Sequence, residues 1–395
     1  MARSRTVIIS GAGIGGLSLA LALTRQGFRA VVVEQSERLD EAGAGIQLSP
    51  NATRVLIALG LQECLKRSVV TPTMIRLLRA RNGRAITSIP LGSSAEARYG
   101  APYWVIHRAD LQAALIGTLQ ETADFTLRLG FRVEDFAVHV NGVTVEGRGQ
   151  SGTLDEHGIA FVAADGLWST MRQRLGDPRR PRFSGRAAWR ATVPADRVQP
   201  AFREPVTTLW LGRDAHLVHY PVKGGDMINI VAIVRDESRL RGWSAAGSSG
   251  EILARFAHWD VAARTLLGAP DAWHRWSLFD RPRGFRRGSG PITLLGDAAH
   301  PMLPFLAQGG AAAIEDAAVL AACLAGSSDH PDLAMRRYEK LRRRRAARLQ
   351  HEARRNGRLY HLAGLAAAVR NAVLRVRGGK RVLARYDWIY GWHPD

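Results

Sequence analysis

The chain has 395 residues, 46% hydrophobic and 23% charged, with 55 Lys and Arg against 35 Asp and Glu for a formal net charge of +20. These are globular proportions over a length that suggests two domains with ample core for both. No stretch approaches the length of apolar sequence a membrane span needs, and residues 1–5 run straight into the first strand, so neither a span nor a signal peptide is expected. Cys64 and Cys323, far apart, argue for a reducing cytoplasmic setting and against a disulfide or a metal site.

Val7-Ile8-Ile9 is a short apolar run of the buried parallel-strand type, and Leu17 to Thr24 continues as a helix rich in Leu and Ala. Between them lies Gly11-Ala12-Gly13-Ile14-Gly15-Gly16. In such a pattern Gly11 permits a tight turn, Gly13 lets the backbone approach a pyrophosphate, and Gly16 lets the helix pack closely on the strand. The helix N-terminus then offers unpaired N–H groups and a positive dipole end to the phosphates. A second apolar run, Ala30 to Val33, ends in Glu34, at the distance expected for an acid on a ribose hydroxyl. An acid there argues against a 2′-phosphate and leaves FAD and NAD both open.

Ala42 to Leu48 reads as a glycine loop, and Asn51 to Leu59 as a helix. Pro72 to Pro90 turns strand-like, with a hairpin turn at Asn82-Gly83. His107-Arg108-Ala109-Asp110 opens a helix over Leu111 to Leu119; strands follow at Phe125 to Leu129, Val143 to Val145 and Ile159 to Ala164, the last leading into Asp165-Gly166. Gly176 to Pro181 breaks the chain. From 187 to 235 the pattern alternates: Trp189 to Val193, Thr207 to Leu211, His216 to Val222 and Met227 to Val234. Arg281 to Gly290 is a return crossing, and Ile292 to Leu295 is a strand feeding Gly296-Asp297-Ala298-Ala299-His300-Pro301. A helical C-terminal region follows. Within it, residues 336–358 hold eleven Lys and Arg against Glu339 and Glu352, a local charge of +9. With a narrow apolar face at Ala346, Leu349 and Ala353, this reads as a solvated outer helix that takes no part in the active site. A contact with an acidic partner or an anionic lipid is the alternative; no stacking platform points to nucleic acid.

These elements imply an α/β chain of discontinuous architecture. A Rossmann-like nucleotide-binding domain is assembled from 1–70, 98–180 and 285–395, including the C-terminal helices. A mostly antiparallel β-sheet substrate domain is inserted from 71–97 and 181–284. A small substrate is expected in the pocket between them.

Three motifs in this order resemble the single-component flavoprotein aromatic hydroxylases of the para-hydroxybenzoate hydroxylase fold, with a GR2-type FAD-binding domain. They are Gly43-Ala44-Gly45-Ile46-Gln47-Leu48-Ser49-Pro50-Asn51-Ala52, Asp165-Gly166-x-x-Ser169-x-x-Arg172, and Gly296 to Met302 followed by Ala307-Gln308-Gly309-Gly310. With Tyr386 to Trp392, they resemble the salicylate hydroxylase and 3-hydroxybenzoate 6-hydroxylase branch over essentially the whole chain. The resemblance implies non-covalent FAD, NADH or NADPH as a transient co-substrate, and O2. It places Asp297 on the FAD ribitol, Glu34 on the adenosine ribose and Arg108 along the phosphate or ribityl side. Asp165 and Gly166 would lie beside the pyrophosphate, Pro304 near the flavin ring, and Gly309, Gly310 and Ala311 at the flavin pyrimidine edge. Reduced flavin carries negative charge at that edge, which a helix N-terminus stabilises.

The implied reaction is hydroxylation of a small phenolic acid, 3-hydroxybenzoate or salicylate, through a flavin C4a-hydroperoxide. A hydroxypyridine or purine ring is the alternative substrate, and a plain NAD-dependent dehydrogenase the alternative of another class. In Ala215-His216-Leu217-Val218-His219-Tyr220-Pro221, alternation puts His216, Val218 and Tyr220 on one face and His219 on the other. The resemblance makes His216, assisted by Tyr220, the base at the substrate hydroxyl; a His and Tyr bonded to each other is the structural reading. An unperturbed imidazole suits that task at neutral pH. Gln308 is the candidate for the substrate carboxylate, with Arg190 and Gln47 as further candidates. A homodimer is compatible with the resemblance.

Overall fold

The computed structural model describes residues 5–39, 44–236, 244–281 and 288–394. Ala42 and Gly43 of the glycine loop, and residues 282–287 of the return crossing, lie outside the described residues.

The centre is a five-stranded parallel sheet, in spatial order Ile292–Leu294, Ala160–Ala163, Thr6–Ser10, Arg29–Glu34 and Phe125–Leu129. Thr6–Ser10 is buried at every position, which explains its continuous apolar run: both faces of a parallel strand are covered. The Ile14–Thr24 helix buries nine of its eleven residues between this sheet and the Arg108–Gln120 and Gly309–Ala325 helices. Each leucine it removes from water contributes about 1.5–3 kcal/mol.

Ten alanines and glycines in Gly309–Ala325 let that helix approach closely: a Cβ on Gly15 would lie 3.0 Å from the Cβ of Ala313. The same helix buries Glu315 and Asp316 completely. Their counter-charges come from Pro331–Tyr360, the arginine-rich helix. Arg342 bonds Glu315 at 2.7 Å and Asp316 at 2.6 Å, and Arg345 bonds Glu315 at 2.6 Å. The expectation of a wholly solvated outer helix is therefore corrected. Ala346, Leu349 and Ala353 do face inward, but so do Arg342, Gln350, Asn356 and Gly357, while Arg343, Arg344 and Arg348 remain in water. Buried carboxylates two layers away are invisible in the helix's own sequence.

A second, eight-stranded sheet runs Ser244–Gly247, Trp273–Asp280, Arg182–Pro194, Met227–Arg235, Ala215–Val222, Val206–Leu211, Met74–Arg79 and Ala85–Pro90. Every pairing is antiparallel except Val206–Leu211 with Met74–Arg79, which is parallel. Its inner strand Ala215–Val222 alternates as its sequence implies. His216, Val218 and Tyr220 face the cleft, and His219 packs on the other side with its ring 5.2 Å from Phe202. A three-stranded antiparallel sheet, Phe131–His139, Gly142–Gly149 and Gly152–Gly158, and a two-stranded pairing of Gly45–Leu48 with Trp104–His107 complete the β structure described.

Candidate active site

A long cleft opens where the carboxyl ends of the parallel strands meet the eight-stranded sheet. At its far end, about 600 Å³ is bounded by Gly11, Ala12, Gly13, Glu34, Arg108, Asp165 and Gly166. Gly11 has φ +103, and a Cβ there would lie 2.5 Å from the Ala164 carbonyl oxygen; a Cβ on Gly16 would lie 2.0 Å from that of Gly11. Both positions are closed to any other residue. Glu34 accepts from the Ala12 N–H at 2.8 Å and the Ser36 N–H at 2.9 Å, so its carboxylate stands at the mouth of the glycine turn. Asp165 accepts from the Met171 N–H at 3.3 Å through Oδ2, while its buried Oδ1 has no protein partner. Burial pushes this carboxyl up, and hydrogen bonds from Ser169 and Met171 pull it back.

The near end, about 320 Å³, is bounded by Gly45, Arg108, Arg190, Tyr220, Asp297, Gly309 and Gly310. Asp297 faces the open cleft, and no side-chain hydrogen bond touches it among the described residues. The protein packed around its base pushes the carboxyl up, opposed by His300 and Arg108. Gly309 and Gly310 open the Gly309–Ala325 helix, whose first intrahelical bond comes from the Ala312 N–H. The preceding N–H groups are those a ligand can use. Ala311 stands behind them with its side chain in the core. One residue quoted only for its motif ties both ends together. Buried Arg172 bonds Asp177 at 2.8 Å and the carbonyls of Ala298 and Ala299 at 2.9 and 2.6 Å, locking the Asp165 loop to the Asp297 loop.

These features fit an FAD. The faces of Gly13 and Gly166 are open, with nothing nearer than 4.0 Å to a Cβ on Gly13 and nothing within 4 Å at Gly166. Glu34, Asp165 and Asp297 then offer acceptors along the length a dinucleotide with a polyol linker would occupy.

Past the near end lies a separate cavity of about 480 Å³, which shares Gln47, His216, Val218, Pro304 and Ala307 with the cleft. Its walls are Leu77, Tyr103, Leu209, Leu211 and Phe305, with Tyr360, Tyr386 and Tyr390 from the C-terminal helices. Sequence reasoning missed this C-terminal wall; the aromatic density of residues 386–392 was its one visible signal. Asn356 and Arg355, from the helix expected to stay away, also line it.

His216 is 2% exposed, and its Nδ1 lies 2.7 Å from His361 Nε2 rather than against Tyr220. Burial, then His361 and Arg186, hold its pKa well below the ordinary imidazole value, which corrects the expectation of an unperturbed base. Tyr220 borders the cleft together with His216, its ring against Gly45, and does not line the separate cavity. Gln47 accepts from the Tyr103 hydroxyl at 2.6 Å. Arg190, lowered to about 10 by burial, lies 4.7 Å over the Trp276 ring and faces the cleft rather than the cavity. Gln308 turns inward, donating to Ser49 Oγ at 2.8 Å and accepting from Asn51 at 3.1 Å. Asn51 in turn donates to buried Glu315, so the Gln308 amide belongs to the core network.

A family described as FAD binding domain matches residues 4–353. The 3-hydroxybenzoate 6-hydroxylase of Klebsiella oxytoca is 36% identical over 397 residues, covering 100% of this chain and 98% of its own. The 3-amino-4-hydroxybenzoate 2-monooxygenase PtmB3 of Streptomyces platensis is 38% identical over 398 residues, covering 99% and 96%. Among solved structures, Klebsiella pneumoniae HpxO complexed with FAD and uric acid matches with TM-score 0.85 at 26% identity, over 96% of this chain and 95% of its own. A salicylate hydroxylase substrate complex matches with TM-score 0.81 at 27% identity, over 100% and 97%. A plain dehydrogenase is not favoured by any of these. The chain belongs to the FAD-binding domain family and, within it, to the flavoprotein aromatic hydroxylases of the salicylate hydroxylase and 3-hydroxybenzoate 6-hydroxylase branch: it is an FAD-dependent monooxygenase.

Proposed function

We propose that the chain hydroxylates a small phenolic carboxylate of the 3-hydroxybenzoate type, bound in the cavity beside His216. The lining carries this reading. Aromatic and aliphatic walls suit a single ring, His216 is the one imidazole among them, and Arg355, Arg370, Arg377, Arg381 and Arg385 supply positive charge with no Asp or Glu in the lining. Such a field draws in an anionic substrate. The relatives at 36–38% identity named for benzoate substrates support it over a purine or pyridine ring.

Bound FAD supplies the redox chemistry, taking a hydride from NAD(P)H and activating O2. Gly13, Glu34, Arg108, Asp165, Asp297 and the Gly309-Gly310 helix start would hold it. Pro304, shared by cleft and cavity, would meet both cofactor and substrate. His216 would accept the phenolic proton, and Tyr220, Gln47 and Arg190 would close the junction on the cofactor side. The division into 1–70, 98–180 and 285–395 as FAD domain and 71–97 with 181–284 as substrate domain is supported by the second sheet, whose strands all fall in the latter segments. No described helix is long and apolar enough to cross a membrane. A cytoplasmic setting and a homodimer complete the proposal, the latter supported by exposed Leu365, Val369 and Val376 on the Gly364–Ala384 helix. Nucleic acid is no partner in this reading, since Arg342, Arg345 and Arg354 are engaged with Glu315, Asp316 and Asp280.

The deciding experiment is a panel of hydroxylated benzoates, pyridines and purines, assayed for stimulated NADH oxidation with the product identified by mass. A benzoate hydroxylated with near-stoichiometric NADH use is expected; stimulation only by a purine or pyridine would overturn the substrate class. The cofactor assignment is tested by Asp297→Ala. Losing an acceptor to the polyol should strip most of the flavin during purification while the circular dichroism spectrum is unchanged. Retention of full yellow colour and activity would remove Asp297 from the site.

A further inference from the structure

His361 ends the arginine-rich helix, in the turn before Gly364–Ala384. Its Nε2 lies 2.7 Å from His216 Nδ1, with the two rings 4.9 Å apart and inclined at 35°. Phe305 sits edge-on to His361 at 5.7 Å and tilted against His216 at 5.6 Å, and Tyr360 closes on His216 at 5.5 Å. Both imidazoles are buried, so the bond between them is shielded from water. The close fit extends to the helix itself: a Cβ on Gly357 would lie 2.6 Å from the Phe305 ring.

A histidine acting as a base is set by whatever its second nitrogen meets, since that contact decides which nitrogen keeps the lone pair. A carboxylate commonly does this. Here, among the described residues, no Asp or Glu acts on either ring; the charged groups facing the pair are Arg186, toward both, and Arg370, toward His361, with the Tyr360 phenol packed alongside. The second nitrogen of His216 meets another imidazole instead. The short bond can run either way, and in the direction that suits a base at His216, His216 Nδ1–H donates to the lone pair of His361 Nε2 and the His361 proton sits on Nδ1. The Nε2 of His216 is then a bare acceptor on the ring that borders both the cavity and the cleft.

We propose that His361 is a positioning residue that fixes the tautomer and orientation of His216, so that a lone pair rather than an N–H faces the substrate hydroxyl. This rests on the reading of His216 as the base. In the step it serves, the substrate O–H bond breaks, an N–H bond forms at His216 Nε2, and no electrons change hands between the two. His361 lines neither the cavity nor the near end of the cleft. Its effect is to keep His216 from presenting a donor, which would hold the phenol in its protonated form.

The test uses the FAD-loaded enzyme and the benzoate selected by the panel. In His361→Leu the anchoring bond is gone; in His361→Gln an amide oxygen can reach His216 Nδ1 and accept from it. The leucine variant should keep its flavin and its rate of flavin reduction by NADH, with KM within about threefold. Its kcat for product should fall about tenfold or more. The ultraviolet difference spectrum of the bound substrate should show phenolate forming at a pH about one unit higher than in the parent. The glutamine variant should recover both to within about threefold of the parent. Leucine with parental coupling and an unmoved phenolate transition, or glutamine impaired as much as leucine, would overturn the proposal. His216→Ala, run in parallel, separates the two readings. If it keeps full coupling, the base assignment fails and takes this one with it; if it loses product while His361→Leu does not, only His361 is wrong. Should the leucine variant not fold, His361→Asn, whose amide falls short of His216, takes its place under the same criteria.

Discussion

His216→Ala should retain its FAD and still be reduced by NADH, yet form product about 10²–10⁴ times more slowly, as expected for loss of a general base. NADH consumption should then outrun hydroxylation, with hydrogen peroxide making up the difference. The measurement is product per NADH in stopped and steady-state assays; coupling and turnover at parental levels would return His216 to a structural role. The pH profile gives a second reading. Burial, with His361 and Arg186, holds His216 neutral well below the ordinary imidazole range. An unperturbed histidine would lose half its basic form near pH 6.5. Here the base stays competent, so product formation should run flat from pH 8 to about 6. A decline below that has a separate source. His219, held at about 3 in the folded chain by burial and Arg76, takes a proton near pH 6.5 once unfolded. The unfolded chain then binds more protons than the folded one. That contribution to stability is complete above pH 6.5 and lost as pH falls, by about 2 kcal/mol at pH 5. Thermal melts alongside the assays distinguish the two effects.

The nucleotide half of the fold was legible because each step of it is local. A buried strand, a turn that only glycine can make at Gly11, a helix start and an acid at Glu34 follow within one βαβ unit. The Ala215–Val222 strand was legible for the same reason, since alternation alone puts His216 and His219 on opposite faces. What the sequence concealed is long-range. Gln308 looked free for a substrate because its partners Ser49 and Asn51 lie more than two hundred residues away. His361 carries no motif, and only the return of a thirty-residue helix brings it to His216. The strands Phe131–His139 and Gly152–Gly158 carry little signal because they bury one residue and none, respectively. The exposed half of each residue pair follows no apolar rule.

The arginine-rich helix is where the largest stability effect is expected, and it reaches the flavin site. Arg342→Met should lower stability by about 3–5 kcal/mol, the usual consequence of leaving buried carboxylates short of a partner. Both bonds it makes, to Glu315 and to Asp316, are out of water. Glu315 would keep Arg345 and Asn51, so Asp316 bears the greater loss. Burial opposes charge on Asp316, but His300 and Arg342 outweigh it and hold the carboxyl at about 2. Its ionised form therefore stabilises the fold above pH 4, and that contribution is lost as pH falls toward 2. Without Arg342 only His300 opposes the burial effect, so the carboxyl rises from its parental position. The ionised form then contributes less in the variant, so the gap from the parent is full at neutral pH and narrows as pH falls through 4, where the parent loses that contribution. Asp316 also accepts from the Gly296 N–H at 3.1 Å and bonds His300 at 2.6 Å, which fixes the loop carrying Asp297. FAD should accordingly dissociate more readily from the variant even where it is fully folded. Arg343→Gln and Arg344→Gln, both in water, are the controls and should stay within about 0.5 kcal/mol of the parent. Arg345 is no such control, because it bonds Glu315 and the Trp388 and Ile389 carbonyls. Denaturant melts at pH 7 and pH 4, with flavin fluorescence to count released FAD, decide it. An Arg342→Met protein as stable as the parent at pH 7 would mean that the ion-pair account of this helix is wrong.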